Sequence, residues 1–228
     1  GVTQWWSVRL WGAHLVGLLC VGIAVGLGFW QYDAFTERRA AEQVDLTTAD
    51  PVPITDVYGP DEGFQADGLG RPVIIRGTYL DDGTVLISGR PGDDGRDGSW
   101  LVTPLTVGGP TDPAVPVVRG WVPEATDLAD LPAPPSGESE VLGWLQPSEV
   151  GTEVDDDPSD RVLPDLRVAD LVQLLGPGQD LYDGYAVAQE PSADDAAAGV
   201  EAASLDQLPR ASRFTGLRNL LYGIEWWV

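Results

Sequence analysis

The side chains that could do chemistry are few, and their spacing keeps them apart. His14 is the single histidine, Cys20 the single cysteine, and methionine is absent. A zinc, copper or iron–sulfur centre draws on several imidazole, thiolate or thioether ligands, so none can be built here from soft ligands alone. A Ser-His-Asp relay fails as well, because the one imidazole lies in an apolar run far from the serines of the polar region. Gly68-Leu69-Gly70 lacks the third glycine and following helix of a phosphate cradle, and no Gly-x-Ser-x-Gly elbow occurs. Carboxylates are plentiful, but the runs Asp81-Asp82, Asp93-Asp94, Asp155-Asp156-Asp157 and Asp194-Asp195 sit among turn formers, where solvated charge accounts for them. The repeating spacing of a calcium loop is absent from Asp155 to Asp157. No catalytic residue, no metal site and no enzymatic activity are expected.

What remains is layout. The chain of 228 residues carries 13 cations, all arginine, against 36 acids, a net charge of −23. A phosphate backbone would be repelled by such a surface, so nucleic acid is excluded as a partner. Hydrophobic residues at 43% are too many for a disordered acidic polymer. Charge is concentrated between residues 33 and 208, where nine arginines face 35 acids. The two ends are nearly uncharged and rich in tryptophan.

Leu10 to Trp30 is an apolar run of about 30 Å as helix, the thickness of a hydrocarbon core. Trp5, Trp6 and Trp11 at one end, and Trp30 with Tyr32 at the other, match interfacial aromatic belts. Its length and flanks predict a retained span rather than a cleaved signal. Gly22 and Gly26, with Gly28 nearby, are points where another membrane helix could approach, although glycine is also simply tolerated in such helices. His14 lies about one turn inside. An ionisable group there is either functional or a neutral imidazole bonded near the interface. Residues 210–228 read as the start of a second span: after Arg218-Asn219 come Leu220-Leu221-Tyr222-Gly223-Ile224-Glu225-Trp226-Trp227-Val228. The layout is thus an interfacial segment at 1–9, a transmembrane helix at 10–32, an acidic β-rich extramembrane domain at 33–209, and a truncated second transmembrane helix at 210–228. Membrane lipid is an implied partner. Arginine counts alone would place the acidic block on the cytoplasmic side.

Within the block, alternating segments predict strands at 73–79, 84–90, 99–105, 114–121, 140–146 and 183–189. Leu80-Asp81-Asp82-Gly83 reads as a hairpin turn between the first two. Residues 166–175 predict a short amphipathic helix capped by Asp165 and stopped by Gly176-Pro177. Segments 91–98, 123–139 and 191–209 read as loops. The expected fold class is membrane α + β: two transmembrane helices flanking a small antiparallel, barrel-like α+β domain.

Several segments, in register, resemble the surfeit-locus-one (Surf/Shy) family of cytochrome c oxidase assembly factors. Gly28-Phe29-Trp30-Gln31 is similar to the family's Gly-x-Trp-Gln at the end of its first span. Val73 to Leu80, Arg90 and Thr103-Pro104-Leu105 follow its strand pattern. Val118-Arg119-Gly120-Trp121-Val122-Pro123 resembles its Arg-Gly-Trp-Val-Pro, the most specific of the matches. Tyr222 to Trp227 resembles the start of its second span, with Tyr222 and Trp226 one helical turn apart. The chain departs at Ala34, where the family often has a basic residue. It departs again at Asn219, where the family has the histidine proposed to ligate haem in some members.

The resemblance implies a factor for assembly or stabilisation of the haem-copper cytochrome c oxidase, in part through haem a insertion. The alternative is a permanent accessory subunit of a respiratory oxidase supercomplex, held by helix packing. Partners implied are cytochrome c oxidase subunits and a cytochrome bc–oxidase supercomplex. The location implied is a bacterial-type plasma membrane or mitochondrial inner membrane, with the domain on the outer, periplasmic-side face. No resident cofactor is expected. With Asn219 in place of the histidine, His14 is left as the candidate for a transient haem a contact. Structural roles are expected for Gly120 and Trp121, and an ion pair or a partner carbonyl for Arg119.

Overall fold

The computed structural model describes residues 11–124, 126–151, 155, 157 and 159–208, with the side chains of 32–46 left aside. The chain divides into a helical unit ending at Thr47 and a compact unit beginning at Thr48.

The helical unit is α1 (Trp11–Thr47), 37 residues without a proline to break it. Its segment Trp11–Gln31 has a mean hydropathy of 2.0 and is long and apolar enough to cross a membrane. Trp11, Leu15, Leu19, Ile23 and Trp30 are all more than half exposed, so this apolar surface has no cover among the described residues. In water that is unfavourable; in lipid it costs nothing.

The second unit is an eight-stranded sheet. Its strands are β1 (Val52–Pro53), β2 (Pro72–Thr78), β3 (Val85–Ile87), β4 (Gly98–Thr106), β5 (Ala114–Pro123), β6 (Glu138–Gln146), β7 (Val162–Leu163) and β8 (Tyr185–Ala188). They lie in the order β1-β2-β6-β8-β5-β4-β3-β7. The expectation of an antiparallel, barrel-like sheet is corrected on both counts. Three neighbour pairs, β1 with β2, β3 with β7 and β5 with β8, are parallel. The sheet is also open, with β1 and β7 at its edges. One isolated bridge, Tyr79 to Leu105, draws the end of β2 towards β4 without forming a ladder. Period-two alternation reports which face a residue takes, not the direction its strand runs. Direction here is set by long connections, which parallel neighbours require.

The supposed hairpin is corrected likewise. Asp81–Gly83 forms a single 3-10 turn, after which β3 pairs with β4 while β2 pairs with β6. Helix α2 (Val168–Leu175) forms where expected and ends at Gly176 with φ 80°, the left-handed region glycine tolerates. Its N-cap, however, is Arg167, whose side chain makes no capping bond. The loop after β6 meets the helix start instead: Val168 donates to Ser148 Oγ at 3.1 Å, and Leu166, just before the N-cap, donates to Glu149 Oε2 at 2.7 Å. A further helix, α3 (Ala193–Ala197), stands in the segment read as loop. The second transmembrane helix falls at residues 210–228, outside the described residues.

Both faces of the sheet are covered. Val115 and Val117 of β5, with Ala186 and Ala188 of β8, face one core with Ile54, Tyr58, Val73, Ile75, Leu105 and Leu145. Val118 and Trp121, with Tyr185 and Val187, face the other core with Trp100, Ile87, Leu166 and Leu171. A strand buried on both sides reads as unbroken apolar sequence, so Tyr185-Ala186-Val187-Ala188 is a strand without the alternation expected at 183–189.

Candidate functional site

The motif Val118-Arg119-Gly120-Trp121 lies on β5 at a bulge. In the β4·β5 ladder, Val102 faces Val118 and the next residue, Leu101, faces Gly120. Arg119 is the extra residue, opposite nothing. A bulge of this kind re-aims a side chain that regular pleating would send elsewhere. Arg119 is 2% exposed and meets Asp195 of α3, itself 1% exposed. Its Nε donates to Asp195 Oδ2 at 3.1 Å and its Nη2 donates to Asp195 Oδ1, a two-pronged charge-assisted pair. The same Nη2 donates to Ala133 O at 3.2 Å and Pro132 O at 3.3 Å, while Nη1 donates to Thr103 Oγ1 at 3.3 Å. One planar side chain thus ties β4, the 132–133 loop and α3 to β5.

The neighbouring residues close the same corner. A Cβ on Gly120 would lie 2.5 Å from Glu201 O, so only glycine lets that strand approach. Across this contact Trp121 and Glu201 exchange two backbone bonds, of 2.7 and 2.9 Å. Trp121 is buried, donates from Nε1 to Arg90 O at 2.6 Å, and lies so close over Gly98 that a Cβ there would be 2.2 Å from its ring. Pro123 ends β5 opposite Gly98.

A second buried arginine lies below. Arg90, 1% exposed, donates from Nη2 to Glu149 Oε2 at 2.6 Å, and its guanidinium sits 4.4 Å from the centre of the Trp100 ring. Glu149 is a junction: its other oxygen accepts the Tyr185 hydroxyl at 3.0 Å, and it also takes the Leu166 N–H. Burial pushes the Tyr185 phenol well up, and the Glu149 charge adds to that. Trp100 Nε1–H donates at 2.7 Å to Gln207 Oε1, held in the capping box of Ser204 and Gln207.

Beside Arg119 opens a cleft of about 520 Å³. Tyr79, Arg119 and Asp195 line it, with Glu140 and Leu142 from β6 and Gln189 and Glu190 from beyond β8. The Tyr79 phenol is pushed up by burial, an effect partly opposed by the Arg119 charge, whose guanidinium lies 5.8 Å from the ring centre. Arg119 and Asp195 neutralise one another, so the cleft presents hydroxyl, amide and exposed carboxylate rather than a reactive pair. Among the described residues no three His, Cys, Asp or Glu side chains cluster to hold a metal ion.

The residues singled out from sequence therefore fall into separate groups. Arg119, Gly120, Trp121 and Pro123 are brought together at one corner of the sheet. His14, Gly22, Gly26, Gly28, Trp30 and Gln31 stand on α1, all exposed, and a Cβ on Gly22, Gly26 or Gly28 would meet nothing within 4 Å. Tyr222 and Trp226 lie outside the described residues. Sequence reasoning missed Asp195, read as solvated charge in a loop, together with Glu149 and Gln207. The usable signal was capping: Ser192 with Asp195, and Ser204 with Gln207, are helix-start patterns. In the first, Ser192 Oγ accepts the Asp195 N–H at 3.1 Å, which fixes Asp195 for Arg119.

Compared with known families, residues 18–228 match the SURF1 family, the surfeit-locus family that the motifs resemble. No curated protein matches the chain. A match over nearly the whole chain shows that it belongs to the SURF1 family, which is linked to cytochrome c oxidase assembly.

Proposed function

From membership of the SURF1 family we propose that this chain is a membrane-anchored assembly factor of the haem-copper cytochrome c oxidase, acting by protein contact. The observation that carries the reading is the family match along residues 18–228. The geometry agrees with it. The motif arginine is spent on Asp195 and on backbone carbonyls, so the most specific motif builds a rigid corner rather than a reaction centre. A folded acidic domain and an apolar helix left uncovered among the described residues are two surfaces suited to other polypeptides.

Haem a handling is the finer part of the reading. Fitting haem needs an axial ligand within an enclosing, largely apolar pocket. Among the described residues the one imidazole, His14, stands exposed on a helix. The chain's own described residues therefore do not fit haem.

Deleting the gene should lower the haem a absorbance of membranes, while the chain itself is sub-stoichiometric in purified, mature oxidase. Full haem a absorbance in the deletion would overturn the reading. One copy per active oxidase would replace it with that of a resident accessory subunit.

A further inference from the structure

The cleft beside Arg119 is bounded by a strand edge that the sheet leaves open. β6 pairs with β2 along its length, from Trp144 opposite Pro72 to Glu138 opposite Thr78. On its other side it pairs with β8 only from Gly143 to Gln146. β8 stops at Ala188; Gln189 N–H still reaches Leu142 O at 3.0 Å, and the chain then leaves through Pro191 for α3. On the β5 side the resulting gap is filled by Glu201 against Trp121. On the β6 side no strand follows.

Ladder alternation decides which peptide groups face that gap. Leu145 exchanges backbone bonds with the β2 side, accepting from Gly70 at 2.8 Å and donating to Arg71 at 3.0 Å. Val141 and Ser139 share its parity and point the same way, so Glu140 and Glu138 turn their peptide groups to the cleft, just beyond Leu142, whose carbonyl already accepts the Gln189 N–H. An open edge is a template for another strand. Residues 138–142 carry neither the proline nor the lysine that commonly blunts one.

The charges select the occupant. Glu138 and Glu140 on the strand, with exposed Glu190 across the cleft, repel a second acidic strand, including a copy of this edge. Glu140 is already met by Arg76 at 2.5 Å on the exposed side, whereas Glu190 is in none of the described ion pairs. A cationic side chain would complete it.

We propose that Glu138–Leu142 receives an extended segment of an oxidase-core subunit as an added β-strand, with a Lys or Arg of that segment meeting Glu190. The inference rests on the assembly reading. The edge is about 16 Å long, so four or five residues of the partner are engaged. Backbone bonds supply the attachment, and the acidic rim the choice of partner.

The test uses the full chain in its own membranes, with a photo-crosslinking residue at Leu142, which is 39% exposed, or at Val172 on α2, which is 40% exposed. Cross-linked peptides are identified by mass after gentle solubilisation. The expected product from position 142 is a Lys- or Arg-bearing segment of an oxidase-core subunit. Glu190→Lys should lower its yield about tenfold, while Asp93→Lys, an equal charge change in another loop, should leave it in place. Oxidase that co-purifies with no product at 142, equal products at 142 and 172, a product from another protein, or equal losses in the two lysine variants would each overturn the docking site alone. Failure of any oxidase subunit to co-purify with the unsubstituted chain would sink the assembly reading, and this inference with it.

Discussion

Arg119 and Arg90 are both buried, each beside one carboxylate, yet they are held in different ways. Arg119 has Nε, Nη1 and Nη2 all hydrogen-bonded, to a carboxylate, a hydroxyl and two carbonyls from separate segments. Arg90 has only Nη2 bonded; its Nε and Nη1 are buried without a hydrogen-bond partner, and the guanidinium lies against the Trp100 ring. Directional bonds fix Arg119, while charge and a π face hold Arg90. Glu149 also keeps two other donors, Tyr185 and Leu166, whereas Asp195 depends on Arg119 for its charge partner. The lesson is that equal burial does not mean equal dependence.

The largest effect expected from that contrast is at Arg119. Arg119→Ala leaves the Asp195 carboxylate buried and unpaired, and should cost about 3–5 kcal/mol in denaturant unfolding of the chain. Lys should rescue little, because a point charge cannot reproduce the fork. Arg119→Met with Asp195→Leu should recover most of the loss. If Lys restores full stability, the directional account is wrong.

Arg90→Met should cost less, about 1.5–3 kcal/mol by the same measurement, since Glu149 retains two hydrogen bonds. A loss equal to that of Arg119→Ala would abolish the contrast.

The smallest effect is in alkali. Burial raises the phenols of Tyr79 and Tyr185 above the ordinary value of 10.0. The folded state therefore holds their protons when the unfolded state has begun to release them. The stability they contribute is complete below pH 10 and falls as pH rises above it. Tyr185→Phe, although it loses the bond to Glu149, should flatten this fall between about pH 10 and 12. An unchanged slope would remove Tyr185 from the titration.

Much of the sheet was legible because alternation survives in β2 and β6 and β4 is an apolar run between turn formers, and the α2 helix announces itself through Gly176-Pro177. Strand neighbours were not legible. The turn at Asp81–Gly83 carries hairpin composition, but its two strands pair with β6 and β4 and not with each other. The motif at 118–123 was visible as residue types, while its geometry was hidden in one detail. Val117 and Val118 are consecutive apolar residues on opposite faces, and the bulge that follows breaks the period at Arg119. Its partner Asp195 lies 76 residues later in an Ala- and Asp-rich stretch, where composition says solvent and only tertiary contact says otherwise. His14 and the α1 glycines are legible as residues of an apolar helix long enough to cross a membrane.

The place of β8 also sets a timetable for biosynthesis. It is the last of the described strands to be made, yet it sits in the middle of the sheet, joining β1-β2-β6 to β5-β4-β3-β7. Until Ala188 has left the ribosome the domain exists as two sheet fragments, each with a raw inner edge, attached to a helix synthesised long before. Completion is a single late insertion of four buried residues, closed by Asp195 reaching Arg119 a few residues afterwards. Released chains truncated before residue 185 should therefore be prey for proteases, and those truncated beyond 208 should resist them.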